Sequence, residues 1–122
     1  MANLETTYLG LKLKNPLVAA SSGLTSSVER IKQLADAEIG AIVLKSIFEE
    51  QINNEVTHML AKDQHNVGYP EAEDYIKNYM RDNTVTKHLE LVKQAKEAVD
   101  IPIIASVNCV SSKEWTTFAK DF

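Results

Sequence analysis

An α/β fold with parallel strands is predicted by three features of the sequence. Short apolar runs recur at residues 17–20, 41–44 and 101–107, amphipathic helical patterns separate them, and the first two runs stop at small or polar residues. Runs that are apolar at every position belong to strands covered on both faces, and parallel strands need a crossover between them.

Two short strands around a glycine turn precede the first run. Residues 4–10 hold the strand formers Thr6, Thr7 and Tyr8, residues 11–15 alternate as Leu11-Lys12-Leu13-Lys14, and Gly10 marks the turn of a hairpin. Pro16 leads into Leu17-Val18-Ala19-Ala20, the first core strand, which ends at Ser21-Ser22-Gly23. Ser26-Ser27-Val28-Glu29 has the spacing of a capping box and predicts a helix over 27–38, with Val28, Ile31, Leu34 and Ala35 on one side. Gly40 is expected to end it in a left-handed conformation. Ala41-Ile42-Val43-Leu44 is the second buried strand, with Lys45-Ser46 at its carboxyl end.

Residues 49–83 are polar and long for a connection, which predicts a functional loop with a helix over 71–79 inside it. The acidic residues Glu71, Glu73 and Asp74 suit the start of that helix. Residues 84–99 predict a clearer helix, since Leu89, Val92, Ala95 and Val99 recur every three or four positions. Residues 101–107 form the third strand, and Ser111-Ser112-Lys113-Glu114 opens a helix in which Trp115 and Phe118 are expected to pack inward. Three strands with so few helices leave apolar surface uncovered, so residues 1–122 read as the front part of one larger domain.

Composition narrows the function classes. Thirteen Lys and Arg against seventeen Asp and Glu leave a net charge of −4, the wrong sign for binding nucleic acid by phosphate neutralisation. One cysteine, Cys109, excludes an internal disulfide and suits a reducing, cytoplasmic setting, where it reads as a small buried hydrophobe. No apolar stretch predicts a membrane span or export signal. His58, His65 and His88 lack metal-ligand spacing, so no metal site is predicted.

Three segments together resemble the start of the dihydroorotate dehydrogenase family: residues 15–23, which read Asn-Pro-Leu-Val-Ala-Ala-Ser-Ser-Gly, residues 40–46, which read Gly-Ala-Ile-Val-Leu-Lys-Ser, and residues 102–107, which read Pro-Ile-Ile-Ala-Ser-Val. The last strand and its tail from Cys109 to Trp115 are also similar to the related dihydropyrimidine dehydrogenase flavin domain. The resemblance implies the N-terminal portion, an entry hairpin and about three βα units, of a TIM (β/α)8 barrel that is about two and a half times longer. It implies an FMN-dependent oxidoreductase that oxidises dihydroorotate to orotate in de novo pyrimidine biosynthesis.

By position, the resemblance assigns FMN contacts to Ala20, Ser21, Ser22, Lys45, Ser46, Ser106 and Asn108, and substrate contacts to Lys45 and Asn66. The family's Asn-x-x-Gly-x-Pro-Asn motif is matched only in part, by Asn66-Val67-Gly68-Tyr69-Pro70-Glu71, one residue short and acidic at its end. The family's catalytic base, a Cys or Ser after the fourth strand, is expected beyond Phe122. Cys109 follows the third strand and is not that base, so residues 1–122 alone are expected to be inactive. The implied partners are a dihydropyrimidine substrate and a second subunit, either a copy of the chain or an electron-transfer protein, with neither nucleic acid nor membrane. The alternative is a noncatalytic barrel fragment that associates with itself or with a complementing chain.

Lys45 stands out on chemistry as well. A lysine at the carboxyl end of an apolar parallel strand is placed where barrel active sites lie, and a cation there stabilises negative charge developing on a bound ring.

Overall fold

A computed structural model describes residues 2–62 and 70–122, which form a mixed α/β structure. Its elements are β1 (Thr6–Tyr8), β2 (Leu11–Leu13), β3 (Val18–Ala19), a 3-10 turn (Gly23–Thr25), α1 (Val28–Asp36), β4 (Ala41–Val43), β5 (Ile47–Phe48), α2 (Glu49–Lys62), α3 (Pro70–Ala98), β6 (Ile103–Ile104), β7 (Val107–Asn108) and α4 (Ser112–Asp121). They fall into two compact units, Met1–Ser46 with Glu90–Ser106, and Ile47–Leu89 with Val107–Phe122. None of the described helices is long and apolar enough to cross a membrane.

In the first unit, β1 and β2 form the expected antiparallel hairpin, with Thr6 opposite Leu13 and Tyr8 opposite Leu11. Leu9 and Gly10 both have positive φ, 50° and 77°, as a two-residue hairpin turn requires. The strands β3, β4 and β6 are parallel and adjacent in that order. Ala19, Ile42 and Ile103 stand in one row across this sheet and pack with Ile31 and Leu34 of α1 and with Leu91, Val92 and Ala95 of α3. Ile31, Ile42 and Leu44 are fully buried, each contributing about 1.5–3 kcal/mol of hydrophobic stabilisation. The expectation of strands covered on both faces fails around β3, since Leu17, just before it, is 64% and Val18 37% exposed.

The start of α1 differs from the predicted capping box. The helix begins at Val28 with Ser27 as its N-cap, and Ser26 Oγ donates instead to the Gly23 carbonyl at 2.8 Å. The reciprocal capping pair lies one turn earlier, between Ser22 and Thr25, around the 3-10 turn. The end of α1 is also not made by Gly40. Glu38 takes the left-handed conformation, at φ 62°, and the amides of Glu38 and Ile39 return to the carbonyls of Ala35 and Leu34 in a Schellman arrangement. Gly40 is needed for closeness, since a Cβ there would fall on the Asn15 backbone carbonyl and 2.8 Å from Asn15 Oδ1. Asn15 in turn ties the start of β3 to the end of α1, because its Nδ2 donates to the Glu38 carbonyl at 2.7 Å and its Oδ1 accepts the Leu17 amide at 3.1 Å.

In the second unit, β5 and β7 pair in parallel, Ile47 opposite Val107 and Phe48 opposite Asn108. Ile47, Ile52, Val85, Cys109 and Phe118 form its core, with Leu89 and Val107 against them. The polar stretch read as a loop contains the 14-residue helix α2, which buries Ile52 and Val56 one turn apart. Two buried side chains are enough to hold a helix whose other described side chains face water. The helices expected over 71–79 and 84–99 are one helix of 29 residues, α3, since nothing in Asp82-Asn83-Thr84 interrupts the backbone ladder. The expected third strand is also two strands, β6 and β7, in different sheets. Ser111 Oγ caps α4 by accepting the Glu114 amide at 3.3 Å. Phe118 packs inward as expected, but Trp115 is 45% exposed.

Candidate functional site at the carboxyl ends of the parallel strands

The first unit brings together three of the hydroxyls singled out by sequence. Ser21 follows β3, Ser46 follows β4 and Ser106 follows β6, so each lies just beyond the carboxyl end of a parallel strand. Ser21 Oγ lies 3.0 Å from Ser46 Oγ and accepts the Ser46 amide at 2.9 Å. Ser46 Oγ lies 2.5 Å from Ser106 Oγ. The three hydroxyls therefore form one hydrogen-bonded line across the strand ends.

A local irregularity places the middle member. Val43 pairs with Ile104, yet three steps of chain lead from Val43 to Ser46 and only two from Ile104 to Ser106. The extra residue on the β4 side is accommodated at Leu44-Lys45, as in a β-bulge. Leu44 is buried in the core, Lys45 is exposed, and Ser46 returns to the line of hydroxyls.

Thr25, which the sequence reading passed over, braces this arrangement. It is fully buried, its Oγ1 accepts the Ser22 amide and donates to the Ser22 carbonyl, both at 3.2 Å, and its carbonyl accepts the Lys45 amide at 3.3 Å. The Ser22-to-Thr25 spacing was the signal that could have found it, because it is the same spacing read as a cap four residues later. Arg30 adds a second brace, donating from Nη1 to the Gly23 carbonyl at 2.6 Å.

The remaining assignments are distributed differently. Ala20 and Ser22 are exposed in the loop after β3, and the Ser22 hydroxyl is engaged in capping, accepting the Leu24 amide at 3.2 Å. Asn108 belongs to β7 of the second unit and is exposed. Asn66 lies outside the described residues. No group of three or more His, Cys, Asp or Glu side chains among the described residues is arranged to hold a metal ion.

Comparison of the chain with family models, with curated proteins and with solved structures gives no match.

Proposed function

We propose that residues 1–122 form the first three βα units of an FMN-dependent oxidoreductase barrel that resembles dihydroorotate dehydrogenase and acts on a dihydropyrimidine. The observation that carries this reading is the Ser21–Ser46–Ser106 line, with Lys45 exposed next to its middle member. Barrel enzymes assemble their active sites at the carboxyl ends of the strands, from several strands at once.

The residues suit a flat, polar ring system. Ala20 and Ala105 are small and exposed beside the serines, which leaves backbone within reach of a ring laid across the strand ends. The hydroxyls of Ser21, Ser46 and Ser106 can each donate or accept, so they adapt to a ring edge carrying both kinds of group. Lys45 supplies a positive charge that favours added negative charge on the ring, and its position is held by the Thr25 carbonyl. When bound, FMN would supply the two-electron acceptor for oxidation of the substrate.

Titration of the full chain with FMN, followed by visible absorption, tests the reading. A perturbed flavin band, with binding weakened at least about tenfold by Lys45→Ala and by Ser106→Ala, is expected. An unperturbed spectrum in the folded protein, or binding that ignores both substitutions, overturns it.

The exposed Leu17, just before β3, and Val18 of β3 favour a second reading, a barrel fragment that associates through this strand. Gel filtration of the chain decides it, since a monomer at all concentrations excludes self-association.

A further inference from the structure

The charge of the chain is divided unevenly between its two units. Of the seventeen Asp and Glu, ten lie in Ile47–Leu89 and Val107–Phe122, against six of the thirteen Lys and Arg. The second unit therefore carries the whole net charge of −4, and the first is neutral. Among the described aromatic residues, Tyr75 and Tyr79 of α3, in this acidic unit, are the most exposed, at 72% and 64%. They stand four positions apart, so they are neighbours on the helix surface. Glu71 comes four positions before Tyr75 and Asp82 three after Tyr79, which puts both carboxylates in the same row, and both are exposed. Asp82 keeps 68% of its side chain in solvent although Arg81 Nη2 reaches its Oδ1 at 3.2 Å.

The row Glu71, Tyr75, Tyr79, Asp82 holds no cation. Lys77 and Arg81 each lie two positions from a tyrosine and so on the opposite side of the helix, where Arg81 turns to Glu114 of α4. An aromatic face attracts a cation, and a carboxylate at either end of the row adds to that attraction. The charge of the occupant is therefore positive, and its chemistry follows from the rings. An ammonium is compact and strongly hydrated, whereas a guanidinium is planar, more weakly hydrated, stacks on an aromatic ring and forks onto a carboxylate. At the helical rise, Glu71 and Asp82 stand about 16 Å apart along α3, a length spanned by about five residues of extended chain.

We propose that this row is an interaction surface for an arginine-bearing segment of a partner protein, with guanidinium groups stacked on Tyr75 and Tyr79 and paired with Glu71 and Asp82. The surface is independent of the strand-end serines and of any flavin chemistry.

An oligoarginine peptide and an oligolysine peptide of equal length are the probes, each titrated into the full chain and followed through the backbone amide resonances of Tyr75, Asn78, Tyr79 and Asp82. The arginine peptide should bind at least about threefold more tightly, the size of effect that one exposed cation–ring contact gives. Tyr75→Ala together with Tyr79→Ala should remove that preference and leave the weaker, salt-sensitive attraction that both peptides share. Glu71→Gln together with Asp82→Asn should weaken the binding of both peptides. All four side chains are exposed, so these variants keep the fold. Equal binding of the two peptides, a preference that survives loss of both tyrosines, or resonance changes spread over the acidic unit instead of gathered on α3 would overturn the proposal and leave only the general attraction of a cation to an acidic surface.

Discussion

Ser46 Oγ and Ser106 Oγ lie 2.5 Å apart although 60 residues separate them in the chain. The contact follows from the parallel β4–β6 pairing together with the extra residue at Leu44-Lys45, which brings Ser46 level with Ser106. Regular pairing from Val43 and Ile104 onward would have set Lys45, not Ser46, beside Ser106.

That hydrogen bond should be measurable as a coupling. Ser46→Ala and Ser106→Ala should each destabilise the chain by about 0.5–1.5 kcal/mol in urea unfolding. The double variant should lose less than the sum, by about 0.5 kcal/mol or more, because either single change already breaks the contact. Strict additivity would show that the two hydroxyls do not interact in solution.

Thr25 should matter through its hydroxyl rather than its shape. Thr25→Val keeps the volume but removes the acceptor of the Ser22 amide, at a cost of about 1–3 kcal/mol, while Thr25→Ser should retain the hydrogen bonds. Hydrogen exchange at the Ser22 amide should quicken in the valine variant and not in the serine variant.

Gly10 and Gly40 should fail differently when replaced. At Gly10, where φ is 77° and a Cβ meets nothing within 4 Å, Asn should be tolerated better than Ala because Asn accepts left-handed backbone. At Gly40 the obstacle is the Asn15 carbonyl, so Ala should cost about 1–3 kcal/mol and Asn at least as much. Urea midpoints of the four variants distinguish a strained dihedral from a blocked approach.

Stability should decline in mild acid through His88. Burial lowers the His88 pKa below its ordinary value of 6.5, and the ring packs edge-on against Phe122 with centroids 5.4 Å apart. The unfolded chain therefore takes up this proton first as pH falls. The stabilisation is complete above about pH 6.5 and is lost as pH drops from there through the lower folded-state pKa. His88→Phe should remove that part of the pH dependence. An unchanged slope in the variant would place its source at another group.

Several elements were legible in sequence because their causes are local. The β1–β2 turn follows from Gly10, α1 from its apolar spacing, α4 from its serine cap and apolar spacing, and the parallel strands β3, β4 and β6 from short apolar runs with helical crossovers. Ser21 and Lys45-Ser46 follow apolar runs, whereas Ser106 lies inside one and was singled out only by the family resemblance. The helix α2 was not legible, because among its described side chains only Ile52 and Val56 mark a buried side and its polar residues look like those of a loop. Trp115 was misplaced inward for a related reason, since hydrophobicity alone does not say which side of a short helix finds a neighbour.

By itself, then, the sequence determined the parallel α/β framework and the strand ends at which chemistry-bearing side chains collect, through periodicity, capping and turn residues that act over a few positions. Only the tertiary structure decided that Ser21, Ser46 and Ser106 form one line, that Gly40 is required by Asn15 rather than by its own dihedral, and that the Thr25 carbonyl meets the Lys45 amide. Those relationships depend on strand register and on the approach of segments distant in the chain, and no local propensity encodes a register shift of one residue.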